Sequence, residues 1–357
     1  MAEAPGSDGR AARPRHKVAV LPGDGIGREV VPAAVRVLQS LQIGLEFEYF
    51  DVGAERFLGS GQAMPESVYE QVIAADAILL GAIGDPRISD SGYSSQVLMR
   101  LRRGLDLYAN VRPARLLDER LCPLRDPDRR AVDLVVLREN TEGLYSGHGS
   151  RTGAGTAQDL AIQEHRNTHL GVTRIIEYAF TIARREVCMA DKWNAMPHAG
   201  AIWQERFAAA AAIHPDIHAR HLMIDAAALH LIQDPRHFDV IVTENAFGDI
   251  LSDLCAGLVG GLGLAPSANL NPATSKGLFE PVHGSAPDIA GRGRANPIAA
   301  ILTAAMALDH LGHPGEASAV RVAAEASVKN RECTPDIGGS LSTDEVAEAV
   351  IRRVGSL

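Results

Sequence analysis

The sequence predicts an α/β protein built on a mixed, largely parallel sheet. The first observation behind this prediction is that short apolar runs alternate with longer segments whose apolar residues recur every three to four positions. Such alternation is typical of consecutive β-α-β units. The second is composition: 46% hydrophobic and 22% charged residues over 357 positions are ordinary for a globular protein. That length suits about two domains.

The apolar runs predict strands at 18–21, 77–80, 132–137, 221–224 and 238–243. Helical spacing predicts helices at 29–41, 167–185, 200–212 and 296–311, and another after Gly248. A final helix is expected after Thr343. There "STDEVAEAVIRRV" offers a Ser/Thr N-cap, acidic residues in the first turn and arginines near the end of the helix. The glycines of "LPGDGIG" fall at 23, 25 and 27 and do not complete G-x-G-x-x-G. A tight strand-to-helix turn is therefore the favoured interpretation.

Charge and cysteine usage exclude several classes of protein. A net charge of −9 argues against nucleic acid as a partner, because binding phosphates needs a basic face. No apolar run is long enough to span a membrane, so no membrane association is expected. The four cysteines are far apart and form no C-x-x-C pair, which indicates a reduced, cytoplasmic protein. Residues 1–15 are expected to be a disordered tail, with a transit peptide as the alternative.

Acidic residues follow several predicted strands. In "FDVIVTENAFGDILSDLCAGL" (238–258), Asp249 and Asp253 lie one helical turn apart and repel each other. Asp225 directly follows the apolar run "HLMI". Each acid alone could simply lie at the N-terminus of a helix, where a negative charge interacts favourably with the helix dipole. Because the carboxyl ends of parallel strands meet at one edge, three acids there predict a site for Mg²⁺ or Mn²⁺.

Basic and aromatic residues add further candidates. Arg102 and Arg112 in "RLRRGLDLYANVRPAR" could grip a substrate with several carboxylates, or form a solvated basic face. Arg138 directly follows the predicted strand at 132–137. Lys192 in "ADKWNAM" is either a snorkelling side chain or a base with a lowered pKa. Tyr145 in "RENTEGLYSG" is either a core ring or an acid.

Taken together, these motifs resemble the β-decarboxylating hydroxyacid dehydrogenases, which include isocitrate, isopropylmalate, homoisocitrate and tartrate/D-malate dehydrogenases. The resemblance runs from "LPGDGIGREVV" through "FGDILSD" to "EPVHGSAPDIAG" and beyond. It implies a two-domain α/β/α sandwich that is not a typical Rossmann fold. The large domain would comprise 16–107 and 262–357 and carry the NAD loop, and 108–261 would form a smaller substrate and dimerisation domain. It also implies a homodimer, or a dimer of dimers, with shared active sites.

The resemblance further implies a role for each candidate. Asp249 and Asp253 would bind the metal together with Asp225 of the partner subunit. Lys192, also from the partner and assisted by Asp225, would take the hydroxyl proton, and Tyr145 would protonate carbon after CO₂ leaves. The substrate carboxylates would be held by Arg102, Arg112 and Arg138. NAD would be bound by His283, Gly284, Ser285, Ala286, Asp288 and Asn296, where the carboxylate of Asp288 favours NAD over NADP.

The implied activity is NAD- and Mg²⁺- or Mn²⁺-dependent oxidative decarboxylation of a 3-substituted malate, a small di- or tricarboxylate. In "YSSQVLM" (93–99), Leu98 and Met99 are apolar, as in isopropylmalate enzymes, while "YSS" and "RENTEGLY" lean towards homoisocitrate. Arg100 would reach a distal carboxylate or point to solvent. Tartrate, D-malate, isocitrate and a specialised malate analogue stay as alternatives. The intact residue set argues against a non-catalytic regulatory subunit.

Overall fold

The structure is a computed structural model that describes residues 16–89 and 92–356. The predicted tail at 1–15 lies outside them. The strands are β1 His16–Leu21, β2 Leu45–Tyr49, β3 Ala77–Leu80, β4 Ala109–Arg115, β5 Asp133–Glu139, β6 Gly149–Thr152, β7 Leu160–Gln163, β8 Glu186–Asp191, β9 His218–Met223, β10 Val240–Thr243, β11 Ala268–Leu270 and β12 Gly277–Phe279. The helices are α1 Gly27–Ser40, α2 Ala54–Ser60, α3 Glu66–Ala74, α4 Gly92–Ser95, α5 Leu98–Gly104, α6 His169–Ile182, α7 Pro197–Ile213, α8 Ile224–Gln233, α9 Asn245–Leu258, α10 Ile298–His310, α11 Pro314–Lys329 and α12 Thr343–Val354.

Ten strands form one mixed sheet in the order β2-β1-β3-β12-β11-β4-β5-β10-β8-β9. The pairs β12–β11, β11–β4 and β4–β5 are antiparallel, and the pairs on either side of this central part are parallel. The predicted α/β class with a mixed, largely parallel sheet is confirmed. Strands β6 and β7 form a separate antiparallel hairpin.

Helices cover both faces of the large sheet. In β1, Val18 and Val20 pack into one hydrophobic cluster with α1, α10, α11 and α12, whereas Ala19 and Leu21 pack into another cluster on the opposite face. This follows from the alternation of side chains along a strand. The side chains of strand β10 alternate in the same way between two further hydrophobic clusters, one on each face of the sheet. The molecule is therefore a three-layer α/β/α sandwich.

The predicted elements are present, with shifted ends. Strand β5 runs to Glu139, so Arg138 lies within the strand rather than after it. Helix α9 begins at Asn245, which places Asp249 one turn inside the helix. The capping prediction for α12 is confirmed, because Ser342 and Glu345 form a capping box. Strand β8 was missed, because its apolar run is short and bounded by charged residues.

The "LPGDGIG" segment is the predicted tight turn into α1. Gly23 and Gly25 have positive φ angles of 71° and 52°. A Cβ on Gly25 would lie 1.9 Å from the carbonyl oxygen of Ser285, so only glycine allows this approach.

The cysteines are buried free thiols. Within 16–89 and 92–356, the helices are too short or too polar to cross a lipid bilayer.

Candidate active site

Two arginines and an aspartate meet at the carboxyl end of β5. Arg138 Nη1 lies 2.5 Å from Asp249 Oδ1, and Arg112 Nη1 from strand β4 lies 3.3 Å from the same oxygen. Arg112 is also 3.9 Å from Asp253. The glycine at 248 makes this possible, since a Cβ there would lie 2.6 Å from Arg138 Cβ. The helix therefore presents Asp249 directly to both guanidinium groups.

Burial makes these arginines costly to keep charged. It lowers the pKa of Arg138 to about 9, and the neighbouring Arg112 adds to the effect while Asp249 opposes it. Burial lowers the pKa of Arg112 as well, and the charge on Arg102 contributes in the same direction. Mutually repelling buried cations favour the binding of an anion between them.

Arg102 completes this group from helix α5. Its side chain is buried and pairs with the buried carboxylate of Glu280. Leu98 and Met99 precede it on the same helix and are both half-buried, with Leu98 packed against the adjoining core.

The structure engages Arg100 in contacts on and beside helix α3. Its Nη1 donates to the Met64 carbonyl at 2.8 Å, it pairs with Glu66, and its guanidinium lies 4.2 Å from the centroid of the Tyr69 ring. Arg100 therefore packs back onto helix α3, with its guanidinium group paired rather than free in solvent.

Tyr145 lies beside the arginines and is 45% exposed. The guanidinium of Arg138 is 5.7 Å from the centroid of its ring. Burial raises the pKa of its hydroxyl, and the nearby charge of Asp249 adds to the rise. The hydroxyl is therefore protonated at neutral pH and able to donate a proton.

Lys192 and Asp225 form a separate pair. Lys192 follows strand β8 and Asp225 is in the first turn of α8, so the parallel pairing of β8 with β9 brings them together. Lys192 Nζ donates to Asp225 Oδ1 over 2.7 Å. This hydrogen bond lowers the pKa of Asp225. The lysine therefore has a carboxylate partner and does not merely snorkel.

The structure does not bring Asp225 to Asp249 and Asp253. Over 16–89 and 92–356, no group of three acidic, histidine or cysteine side chains is arranged to hold a metal. Asp249 and Asp253 are 39% and 57% exposed, so their oxygens are accessible to a ligand. Two accessible carboxylates are a suitable but incomplete donor set for a hard cation such as Mg²⁺.

The loop at 283–296 is held against helix α1. Ile26 N donates to the Ser285 carbonyl over 2.9 Å, and the Glu29 carboxylate accepts from the amides of Gly291 and Gly293. Ala286 has a positive φ angle of 38°. These contacts fix the path of a loop whose Gly284 and Asp288 are exposed.

His283 and Asn296 flank this loop. His283 Nε2 is buried and lacks a hydrogen-bond partner in the described part of the chain, and burial lowers the pKa of the ring. A neutral imidazole with an unused nitrogen fits a polar ligand such as a nucleotide. Asn296 has both ends of its amide engaged, accepting from Ile298 N and donating to Asp336.

Sequence reasoning missed several residues that hold these groups. Glu280 pairs with Arg102, Ser252 accepts from Arg112 at 2.7 Å, and Asn245 accepts twice from Arg138. Glu280 and Asn245 each follow a strand closely, which was the signal used for the acids. Ser252 carries no such signal in the sequence.

Comparisons with known proteins give the same family throughout. The profile of the isocitrate/isopropylmalate dehydrogenase family matches residues 17–350. The chain is 42% identical to a 3-isopropylmalate dehydrogenase of Bifidobacterium longum (strain DJO10A) over 347 residues, 95% of this chain and 99% of the relative. It is 43% identical to one of Rhodococcus opacus (strain B4) over 320 residues, 88% and 94% of the two chains. The crystal structure of an isocitrate dehydrogenase from Methylococcus capsulatus superposes with a TM-score of 0.88 and 37% identity, covering 95% of this chain and 99% of that one.

The fold and the comparisons together define an oxidoreductase. The chain belongs to the isocitrate/isopropylmalate dehydrogenase family, as the motifs indicated.

Proposed function

We propose that this enzyme catalyses the NAD-dependent oxidative decarboxylation of a 3-substituted malate with Mg²⁺ or Mn²⁺ bound at Asp249 and Asp253. The observation that carries the proposal is a group of three buried arginines, two of which contact the accessible carboxylates of Asp249 and Asp253 at the carboxyl end of β5. The names of the relatives that span nearly the whole chain support it.

Charge balance explains why a dicarboxylate fits. Arg102, Arg112 and Arg138 face Glu280, Asp249 and Asp253, so the group is close to neutral without ligands. A divalent cation on the two aspartates leaves an excess of positive charge. The two carboxylates of a malate match that excess, and the arginines orient them through planar, paired hydrogen bonds.

The ligands supply two elements of the chemistry. NAD held by the loop at 283–296 would supply the hydride acceptor, and a metal ion held by Asp249 and Asp253 would supply Lewis-acid stabilisation of the substrate oxygen. Lys192 would take the hydroxyl proton as a neutral amine, after passing its own extra proton to the hydrogen-bonded carboxylate of Asp225. The protonated hydroxyl of Tyr145 supplies the proton that carbon needs after CO₂ has left.

The site requires a second copy of the chain. Lys192 and Asp225 form a pair separate from Asp249 and Asp253, so a homodimer in which each subunit lends its pair to the other would complete both sites. The division into a large domain at 16–107 and 262–357 and a smaller one at 108–261 belongs to the same proposal, with the arginines near the boundary.

We infer 3-isopropylmalate as the preferred substrate. The half-buried Leu98 and Met99 precede Arg102 on α5 and offer an apolar surface to the substituent at carbon 3. Arg100 is engaged with Glu66, which removes the residue that favoured the distal carboxylate of homoisocitrate.

A substrate panel tests this proposal. NADH formation is followed at saturating Mn²⁺ with 3-isopropylmalate, homoisocitrate, isocitrate, tartrate and D-malate, and each reaction is repeated with chelator and with NADP. We expect the highest kcat/KM for 3-isopropylmalate with NAD and no turnover after chelation. Equal turnover with chelator contradicts the metal site, and a tricarboxylate as the best substrate contradicts the assignment of Leu98 and Met99.

A further inference from the structure

Three asparagines form a buried chain of hydrogen bonds between the arginines. Asn110, Asn140 and Asn269 are 0%, 2% and 0% exposed. Asn110 Nδ2 donates to Asn269 Oδ1 at 3.1 Å, and Asn140 Nδ2 donates to the same oxygen at 2.8 Å. Three buried amides in contact are unusual in a core, because each polar atom must find a partner there.

Strand register places these amides beside the arginines. Asn269 on β11 lies opposite Asn110 on β4, and Asn110 lies opposite Arg138 on β5. Residues directly opposite each other across paired strands have their side chains on the same face. Arg112 is two residues beyond Asn110 and shares that face.

The chain of hydrogen bonds has a single direction. The Glu280 carboxylate accepts from Asn269 Nδ2 at 3.3 Å and also pairs with Arg102. Asn269 Oδ1 then accepts from Asn110 Nδ2, so Asn110 Oδ1 is left to accept from Arg112 Nε at 2.6 Å. A carboxylate only accepts and a guanidinium only donates, so the two ends fix the orientation of both amides.

We propose that Asn110 and Asn269 are positioning residues that fix Arg112 relative to Arg102, so that the two guanidinium groups match the spacing of the substrate carboxylates. The inference rests on the proposed function of these arginines. Arg102 and Arg112 repel each other, and without a fixed partner for each the buried guanidinium groups would settle farther apart. Displacement of such groups by about 1 Å is enough to lose a large part of the catalytic rate.

The variant Asn269→Leu breaks the chain at its centre and keeps the same branched arrangement of side-chain heavy atoms. Asn110 Nδ2 keeps the Ala268 carbonyl at 3.3 Å, and Asn140 Nδ2 keeps the Leu107 carbonyl at 3.1 Å. The substitution therefore leaves neither donor without a partner, and the protein is expected to fold. The matched control is Ser327→Ala on α11, which removes the hydrogen bond of another fully buried side chain, to the Glu332 carbonyl at 2.6 Å.

The experiment measures kcat and KM for 3-isopropylmalate and for NAD in both variants. We expect Asn269→Leu to raise the KM for the hydroxy acid and to lower kcat/KM by on the order of tenfold, with little change in the KM for NAD. Ser327→Ala should match the unaltered enzyme in all of these. Equal kinetic effects of the two variants overturn the inference, because they reduce Asn269 to a structural residue.

A double-mutant cycle separates this inference from the proposed function. In an Arg112→Lys background, Asn269→Leu should add almost no further loss, since no guanidinium is left to orient. A fully additive loss overturns the positioning role. If Arg112→Lys and Arg102→Lys leave the KM for the hydroxy acid unchanged, it is the proposed function of the arginines that fails.

Discussion

At the scale of single residues, Asp249 shows how the site tolerates closely spaced like charges. The sequence predicted a metal ion beside Asp249 and Asp253, which lie one helical turn apart. The structure places two guanidinium groups against Asp249, with Arg112 also within reach of Asp253. These arginines offset the repulsion within the chain, while the exposed oxygens stay accessible for the proposed metal ion.

Lys192 is the residue whose removal should be most damaging. Lys192→Met keeps the length of the side chain but removes the amine proposed to take the hydroxyl proton, so kcat should fall by about 10²–10⁴. Lys329→Met is the matched control, because Lys329 Nζ also donates to a carboxylate over 2.7 Å. Steady-state NADH formation by both variants checks this, and near-normal turnover of Lys192→Met contradicts the assigned role.

Asp288 is the residue expected to select the cofactor. Its carboxylate is exposed on the loop at 283–296 and would accept from a ribose hydroxyl but repel a phosphate. Asp288→Asn should therefore lower the ratio of kcat/KM for NAD to that for NADP, by roughly tenfold for the loss of one charged hydrogen bond. An unchanged ratio in assays with both cofactors removes Asp288 from this role.

At the scale of elements, Asp239 joins the starts of two parallel strands that lead to the site. Its buried carboxylate precedes β10 and accepts from the amides of Arg184 and Arg185 at 2.7 Å each, just before β8. It also accepts from Arg184 Nε at 3.0 Å. This contact fixes β8 beside β10, and so fixes where Lys192 leaves the sheet.

Asp239 also predicts a pH dependence of stability. Burial alone would raise the pKa of Asp239, but the hydrogen bonds from these amides and the Arg184 guanidinium outweigh it and lower the pKa. A lowered pKa in the folded state stabilises the fold above the unfolded pKa of about 3.9, and this contribution is lost as pH falls through the folded value. Asp239→Asn should cost about 2 kcal/mol in the free energy of unfolding at pH 7, measured by urea denaturation. The difference in free energy of unfolding between the variant and the unaltered protein should decrease at acidic pH. A difference that does not depend on pH contradicts this explanation.

The elements also show what a sequence can predict. Strand β10 was found because it is a continuous β-branched run, and helix α9 because its apolar residues follow helical spacing. Strand β4 was missed, since "ANVRPAR" alternates small and basic residues and contains a proline. It lies in the antiparallel centre of the sheet, where side chains such as Asn110 and Arg112 bind other polar groups rather than fill a core.

At the scale of the whole molecule, the site depends on contacts between residues far apart in the sequence, which local sequence patterns do not predict. The motifs predicted Arg102, Arg112, Arg138 and Asp249, and the convergence of Arg138 with Asp249 could be expected from the ends of neighbouring strands. Glu280 and Ser252 hold two of these arginines from distant parts of the chain, and only the assembled sheet reveals them. The homodimer, the cytoplasmic location and the roles of the site residues stay predictions.

The central claim is that two copies of the chain assemble each active site around a divalent metal ion. Its most direct test mixes two inactive variants, Lys192→Met and Asp249→Asn, and lets subunits exchange after mild denaturation. A mixed dimer contains one site with an intact Asp249 and, from the partner, an intact Lys192. Random exchange should therefore restore about a quarter of the activity of the unaltered enzyme in Mn²⁺. Mixed dimers that form, as shown by mass, yet stay inactive would contradict the claim.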